Sequence, residues 1–133
     1  MVKAIMGRKG EGKTKKLIAL VKEALAEENG NVVVIEKNAT LTYDIPYQAR
    51  LVTVTENGYD FLRGVVSGLH SGNYDITYIF MDSITKLTGD KDLAHAEAFL
   101  DWCEAFSQRE GVKFTVTVSA DAAAATEGMK KYF

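Results

Sequence analysis

The sequence predicts an α/β fold: a three-layer sandwich on a five-stranded, mainly parallel sheet. Three observations predict it. Five short β-rich runs punctuate the chain: residues 2–6, 32–35, 51–54, 76–81 and 113–118. Helical periodicity falls between most of them, and alternating strands and helices imply parallel strands joined by crossovers. Two runs, "VVVI" and "ITYIFM", are almost wholly apolar, as strands covered on both faces must be.

The elements follow in order. "VKAIM" (2–6) is the first strand. After Thr14, residues Leu17, Leu20, Val21, Ala24 and Leu25 keep an i, i+3/i+4 spacing, so a helix covers Lys15 to Glu28 and stops at Asn29-Gly30. "VVVI" follows as a buried strand. The link from Ile35 to Leu51 has no helix signal, is polar, and carries the only proline, Pro46. It is long for a connection inside a domain of this size. "LVTV" (51–54) alternates apolar with Thr, predicting one drier and one wetter face. Phe61, Leu62, Val65, Val66 and Leu69 mark a second helix, and "ITYIFM" the next buried strand. Leu93, Ala96, Phe99, Leu100, Cys103 and Phe106 mark a third helix. "KFTVTV" again alternates with Thr, and a last helix is expected from about Asp121, a good N-cap, through the C-terminal residues.

A chain of 133 residues with 47% hydrophobic residues fits one domain with one core. The net charge of −2 provides no global basic field for nucleic acid. Cys103 is the only cysteine, which excludes an internal disulfide and a cysteine-based zinc site. His70 and His95 have no ligand-spaced partner and are expected at the surface or in helix packing. No apolar run approaches the ~20 residues of a membrane span, and a cytoplasmic location is expected.

The chemistry concentrates in "MGRKGEGKT", residues 6–14. Gly7, Gly12, Lys13 and Thr14 satisfy G-x-x-x-x-G-K-[ST], and the stretch follows a strand and opens a helix. Glycines let a loop turn its N–H groups inward, and the helix N-terminus adds a positive dipole end. Arg8, Lys9, Gly10, Glu11, Gly12, Lys13, Thr14 and Lys15 are therefore the candidate phosphate-binding residues. The Lys13 ammonium suits β- and γ-phosphates and the Thr14 hydroxyl suits Mg²⁺. Glu11 is expected to point away from the phosphates. A Mg²⁺ site of this kind also wants a carboxylate at the end of a buried strand, which "YIFMD" supplies in Asp82. The alternative for Asp82 is a turn or N-cap at "DSIT".

With these motifs the sequence resembles the P-loop NTPases, "GRKGEGKT" matching Walker A and "YIFMD" Walker B. The layout is similar to the RecA-like, additional-strand branch, and the resemblance implies strand order 3-2-4-5-1. The whole chain also resembles small stand-alone P-loop proteins of Gram-positive bacteria that sometimes carry twitching-motility names. The implied ligands are ATP and Mg²⁺, with slow or partner-dependent hydrolysis. No guanine-reading motif is present, which favours ATP over GTP. Asp82 is followed by Ser83, so the frequent Asp-Glu pair is missing. The resemblance then points to Glu36, at the end of "VVVIE", as the carboxylate that orients water. It points to Ser119 as a γ-phosphate sensor beside catalytic Lys13. A solvated strand-end carboxylate and a plain strand-end hydroxyl are the competing readings. Relatives that form nucleotide-sandwich dimers have a lysine where Arg8 stands. Arg8 is therefore a candidate for completing the site of a second copy or another protein, against a solvated loop cation. Tyr43 and Tyr47 are candidates for stacking on a base or for anchoring their loop. A small-molecule kinase of nucleoside type, or a nucleotide-binding module without catalysis, are the alternative functions.

Overall fold

Every apolar run of the sequence becomes a strand close to its expected place. The computed structural model describes residues 1–38, 41 and 44–133. The strands are β1 (Val2–Gly7), β2 (Asn31–Glu36), β3 (Arg50–Thr53), β4 (Ile76–Met81) and β5 (Lys113–Ser119). The helices are α1 (Lys13–Glu27), α2 (Tyr59–Gly72), α3 (Ile84–Thr88) and α4 (Leu93–Glu110). All strand pairs are parallel and the sheet order is β1-β5-β4-β2-β3. Read from the other edge this is 3-2-4-5-1, the order the resemblance implies.

Alternation along the central strands sends successive side chains to opposite faces. Tyr78, Phe80, Val32 and Val34 pack with Leu17, Val21 and Ala24 of α1. Ile79, Met81, Val33 and Ile35 pack with Leu62 and Val66 of α2 and with Phe99, Leu100 and Cys103 of α4. The sheet is thus covered on both sides, the condition under which parallel strands are stable. Leu41, Ile45 and Ala49 of the long link join the α1 cluster, so its described part is bound into the core. Among the described residues no helix is long and apolar enough to cross a membrane.

Two expectations are corrected here. The Thr residues of β5 do not mark a wetter face: Thr115 and Thr117 are both 0% exposed. Their hydroxyls have partners inside the protein, Thr115 with the Tyr78 hydroxyl at 2.7 Å and Thr117 with Asp82 at 2.9 Å. A buried hydroxyl needs a hydrogen bond, not water. In β3 the expected difference holds: Val54 is buried on the face of Val52, whereas Thr53 is exposed on the face of Leu51.

The last helix is not continuous. Asp121 does cap, accepting from the Ala123 N–H at 3.0 Å, but the chain forms two 3₁₀ segments, Ala122–Ala124 and Glu127–Tyr132. Thr126 restarts the second one by accepting from the Met129 N–H and donating to Glu97. Three residues per turn then put Met129 and Tyr132 on one side, where both are buried.

Candidate functional site

The parallel sheet delivers three chain segments to one edge. In register, Gly7 of β1 lies beside Ser119 of β5, and Met81 of β4 ends next to Val116, one residue before Asp82. Such carboxyl ends are where open α/β sheets bind ligands.

The loop after β1 is shaped by its glycines. Gly10 and Gly12 have φ of 87° and 84°, a left-handed backbone that L side chains rarely adopt. Gly12 is the N-cap of α1 and offers no side-chain acceptor, and the first turn of α1 holds no acidic residue. The N–H groups and dipole end of α1 are therefore not answered by the helix's own side chains. Lys13 is 8% exposed and donates through Nζ to the Arg8 carbonyl at 3.0 Å. Its stem crosses Gly7, where a Cβ would lie 3.2 Å from Lys13 Cγ.

Thr14 and Asp82 meet across the edge. The Thr14 hydroxyl donates to the Asp82 carboxylate at 3.3 and 3.4 Å, long distances for an O–H···O contact. The Asp82 N–H donates to the Ile35 carbonyl at 3.1 Å, so its backbone continues the ladder rather than forming a cap. Thr117 donates to Asp82 Oδ1 at 2.9 Å and accepts from the Ser83 N–H at 2.6 Å. Ser83 Oγ in turn lies 2.7 Å from Ser119 Oγ. Ser83 has φ of 56°, the one non-glycine residue with positive φ among the described residues. Backbone strain of this kind costs about 1–3 kcal/mol and collects at functional sites.

Lys13, Thr14, Asp82, Ser83 and Ser119 line one cavity of about 770 Å³, with Thr117 buried behind them. Of the expected site residues, Lys9, Gly10, Gly12, Lys13, Thr14 and Lys15 form its loop wall. Asp82 and Ser119 form its floor beside Ser83. Thr85, Lys86 and Lys91 supply the remaining wall.

Arg8, Glu11 and Glu36 are not in that lining. Arg8 points to its own chain, its guanidinium 3.0 Å from Asp121 and 3.8 Å from Glu11. Glu11 is exposed, and its carboxylate accepts from the Arg8 N–H at 2.5 Å, so it braces the loop's first turn. Glu36 is no solvated strand-end carboxylate: it is 2% exposed. Its Oε2 accepts from the Leu41 N–H at 3.0 Å, and Oε1 has no partner among the described residues. Burial pushes its pKa up, the Leu41 N–H pulls it partly back, and the Asp82 charge raises it again.

Tyr47 is 92% exposed, so it does not anchor its loop, and Tyr43 lies outside the described residues. His70 is buried, edge-on to Tyr74 and Phe106, whereas His95 is exposed beside Asp90. Cys103 is buried in the core, and that burial pushes its thiol pKa up, away from nucleophile chemistry.

Sequence reasoning missed Thr117, Ser83, Lys86 and Lys91. Thr117 had a signal, a polar residue in a strand beside the "YIFMD" strand, but periodicity alone assigned it to water. The two lysines follow Asp82 within ten residues, which was their only mark. No protein-family model matches the chain, and no curated protein matches it either.

Proposed function

We propose that this chain is a P-loop NTPase of the RecA-like kind that binds Mg²⁺-ATP and hydrolyses it slowly or only with a partner. One observation carries the reading: Lys13, Thr14 and Asp82 converge on one cavity under a left-handed glycine loop. The donor set suits the ligands. Phosphate oxygens need backbone N–H groups and an ammonium, and Mg²⁺ takes a hydroxyl and one carboxylate while keeping waters and phosphate oxygens.

In this reading Lys13 exchanges the Arg8 carbonyl for β- and γ-phosphate oxygens, a charge-assisted gain. Thr14 and Asp82 hold the metal, and Thr117 fixes the carboxylate's orientation through its hydrogen bond. When bound, Mg²⁺ neutralises charge that develops on the phosphates. Ser119, tied to Ser83, is the sensor at the γ-phosphate side.

Glu36 is the carboxylate we assign to orienting water. Its Oε2 is held by the Leu41 N–H and burial raises its pKa, the direction that suits a general base. Arg8 is free to serve a second copy or another protein, because the exposed pair with Asp121 is worth only ~0–1 kcal/mol.

The lysines beyond Asp82 favour a second reading, phosphoryl transfer to a small acceptor. Incubation with γ-labelled ATP and Mg²⁺ separates the readings. Inorganic phosphate as the labelled product is the expected result. A labelled acceptor from a metabolite mixture supports the kinase, and intact ATP retained on the protein leaves a binding module. Calorimetric titration of Asp82→Asn should show ATP binding with a weakened Mg²⁺ dependence; the same Mg²⁺ dependence as wild type would remove Asp82 from the site.

A further inference from the structure

The cavity carries positive charge beyond its glycine loop. Five lysines line it against a single carboxylate, Asp82. Lys9, Lys13 and Lys15 belong to the phosphate loop, but Lys86 and Lys91 come from α3 and the turn after it. Their placement depends on Ser83. Its left-handed backbone turns the chain directly after Asp82, and its bonds to Thr117 and Ser119 hold that turn. The strain therefore brings α3 alongside the phosphate loop.

The nearest carboxylates turn to His95 rather than to the cavity. Asp90 and Asp92 flank Lys91 in sequence, but their carboxylates lie 2.7 and 3.7 Å from His95, and Asp92 also caps α4 through the Ala94 N–H. Neither carboxylate lines the cavity. Thr85, nearly buried, adds a hydroxyl to the same wall. Two cations and a hydroxyl facing a cavity of about 770 Å³ make an anion-binding wall, in a volume usual for small-molecule sites.

We propose that Lys86, Lys91 and Thr85 form a second anion subsite, which takes the phosphate or carboxylate group of a small molecule bound beside the nucleotide. This rests on the nucleotide reading for the opposite wall and names the class of its companion ligand.

The test uses the whole chain loaded with Mg²⁺ and a non-hydrolysable ATP analogue. It is titrated at constant ionic strength with inorganic phosphate in one arm and succinate in the other, and followed by amide NMR shifts. Saturable shifts across Ser83–Lys91 are expected, and the tighter arm identifies the anion's chemistry. Because Lys86 and Lys91 are exposed, Lys86→Ala/Lys91→Ala should fold normally. It should bind the anion at least about tenfold more weakly while holding the analogue within about twofold of wild type. Shifts in neither arm, shifts confined to the phosphate loop, or undiminished binding by the double variant would overturn the subsite. Equal loss of analogue affinity would also overturn it, assigning both lysines to the nucleotide itself. If the wild type takes no nucleotide, the nucleotide reading falls, and the same titration of the free protein decides the subsite.

Discussion

Two carboxylates end neighbouring strands of one sheet edge and live in opposite surroundings. Asp82, after β4, faces the cavity and accepts hydroxyls from Thr14 and Thr117. Glu36, at the end of β2, is buried beside Leu41 of the long link, with one N–H partner and, among the described residues, none for its other oxygen. Chemically similar groups on adjacent strands thus meet different environments. Hydroxyl donors fix the orientation of the first, whereas burial steers the second toward its neutral form.

The largest expected effect tests the Glu36 half of this contrast. Glu36→Gln should keep ATP binding and lose ~10²–10⁴-fold of whatever hydrolysis the wild type shows in steady-state phosphate release. An unimpaired variant removes Glu36 from the chemistry.

Next comes Thr117, which secures the Asp82 half. Thr117→Val strips a donor from Asp82 and leaves the buried Ser83 N–H unpaired, at a cost of about 1–3 kcal/mol in denaturant unfolding. Mg²⁺ should then bind more weakly, and Thr117→Ser should restore both properties. If valine and serine behave alike, the hydroxyl is not what holds the carboxylate.

The pH dependence of stability sharpens the contrast further. Glu36 titrates higher folded than unfolded, so the unfolded chain gives up its proton first as pH rises. Stability therefore falls across the window from the ordinary glutamate value up to the folded one, and stays lower above it. Glu36→Gln, which cannot ionise, should be more stable than wild type near neutral pH and level with it at about pH 4. A variant less stable than wild type at neutral pH would mean the charged form is favoured in the fold. The smallest effect belongs to Arg8→Ala, which breaks only an exposed pair and should change stability by less than about 1 kcal/mol.

Much of the framework was legible, because hydrophobic runs and helical spacing report burial directly. The strand positions and three of the helices rest on such patterns, the glycine loop lies between the first strand and helix as its motif predicts, and the strand order is the one the resemblance implies. What periodicity could not report was the partner of a polar group. Thr115 and Thr117 look like a wet face until Tyr78 and Asp82 are brought against them. Glu36 looks solvated until Leu41 folds over it from a link with no helical signal. Helix α3 is five residues long, too short for any repeat to appear. The C-terminal segment looks α-helical because 3₁₀ and α spacing differ little over two turns, and Thr126 decides between them.

Equilibrium dialysis of labelled ATP with Lys13→Ala decides whether the glycine loop and Lys13 hold a nucleotide's phosphates. The wild type should bind ATP in the presence of Mg²⁺, and the variant should bind at least about tenfold more weakly, the loss of charge-assisted contacts from an ammonium. Equal affinity for the two proteins, with both folded, would contradict the account.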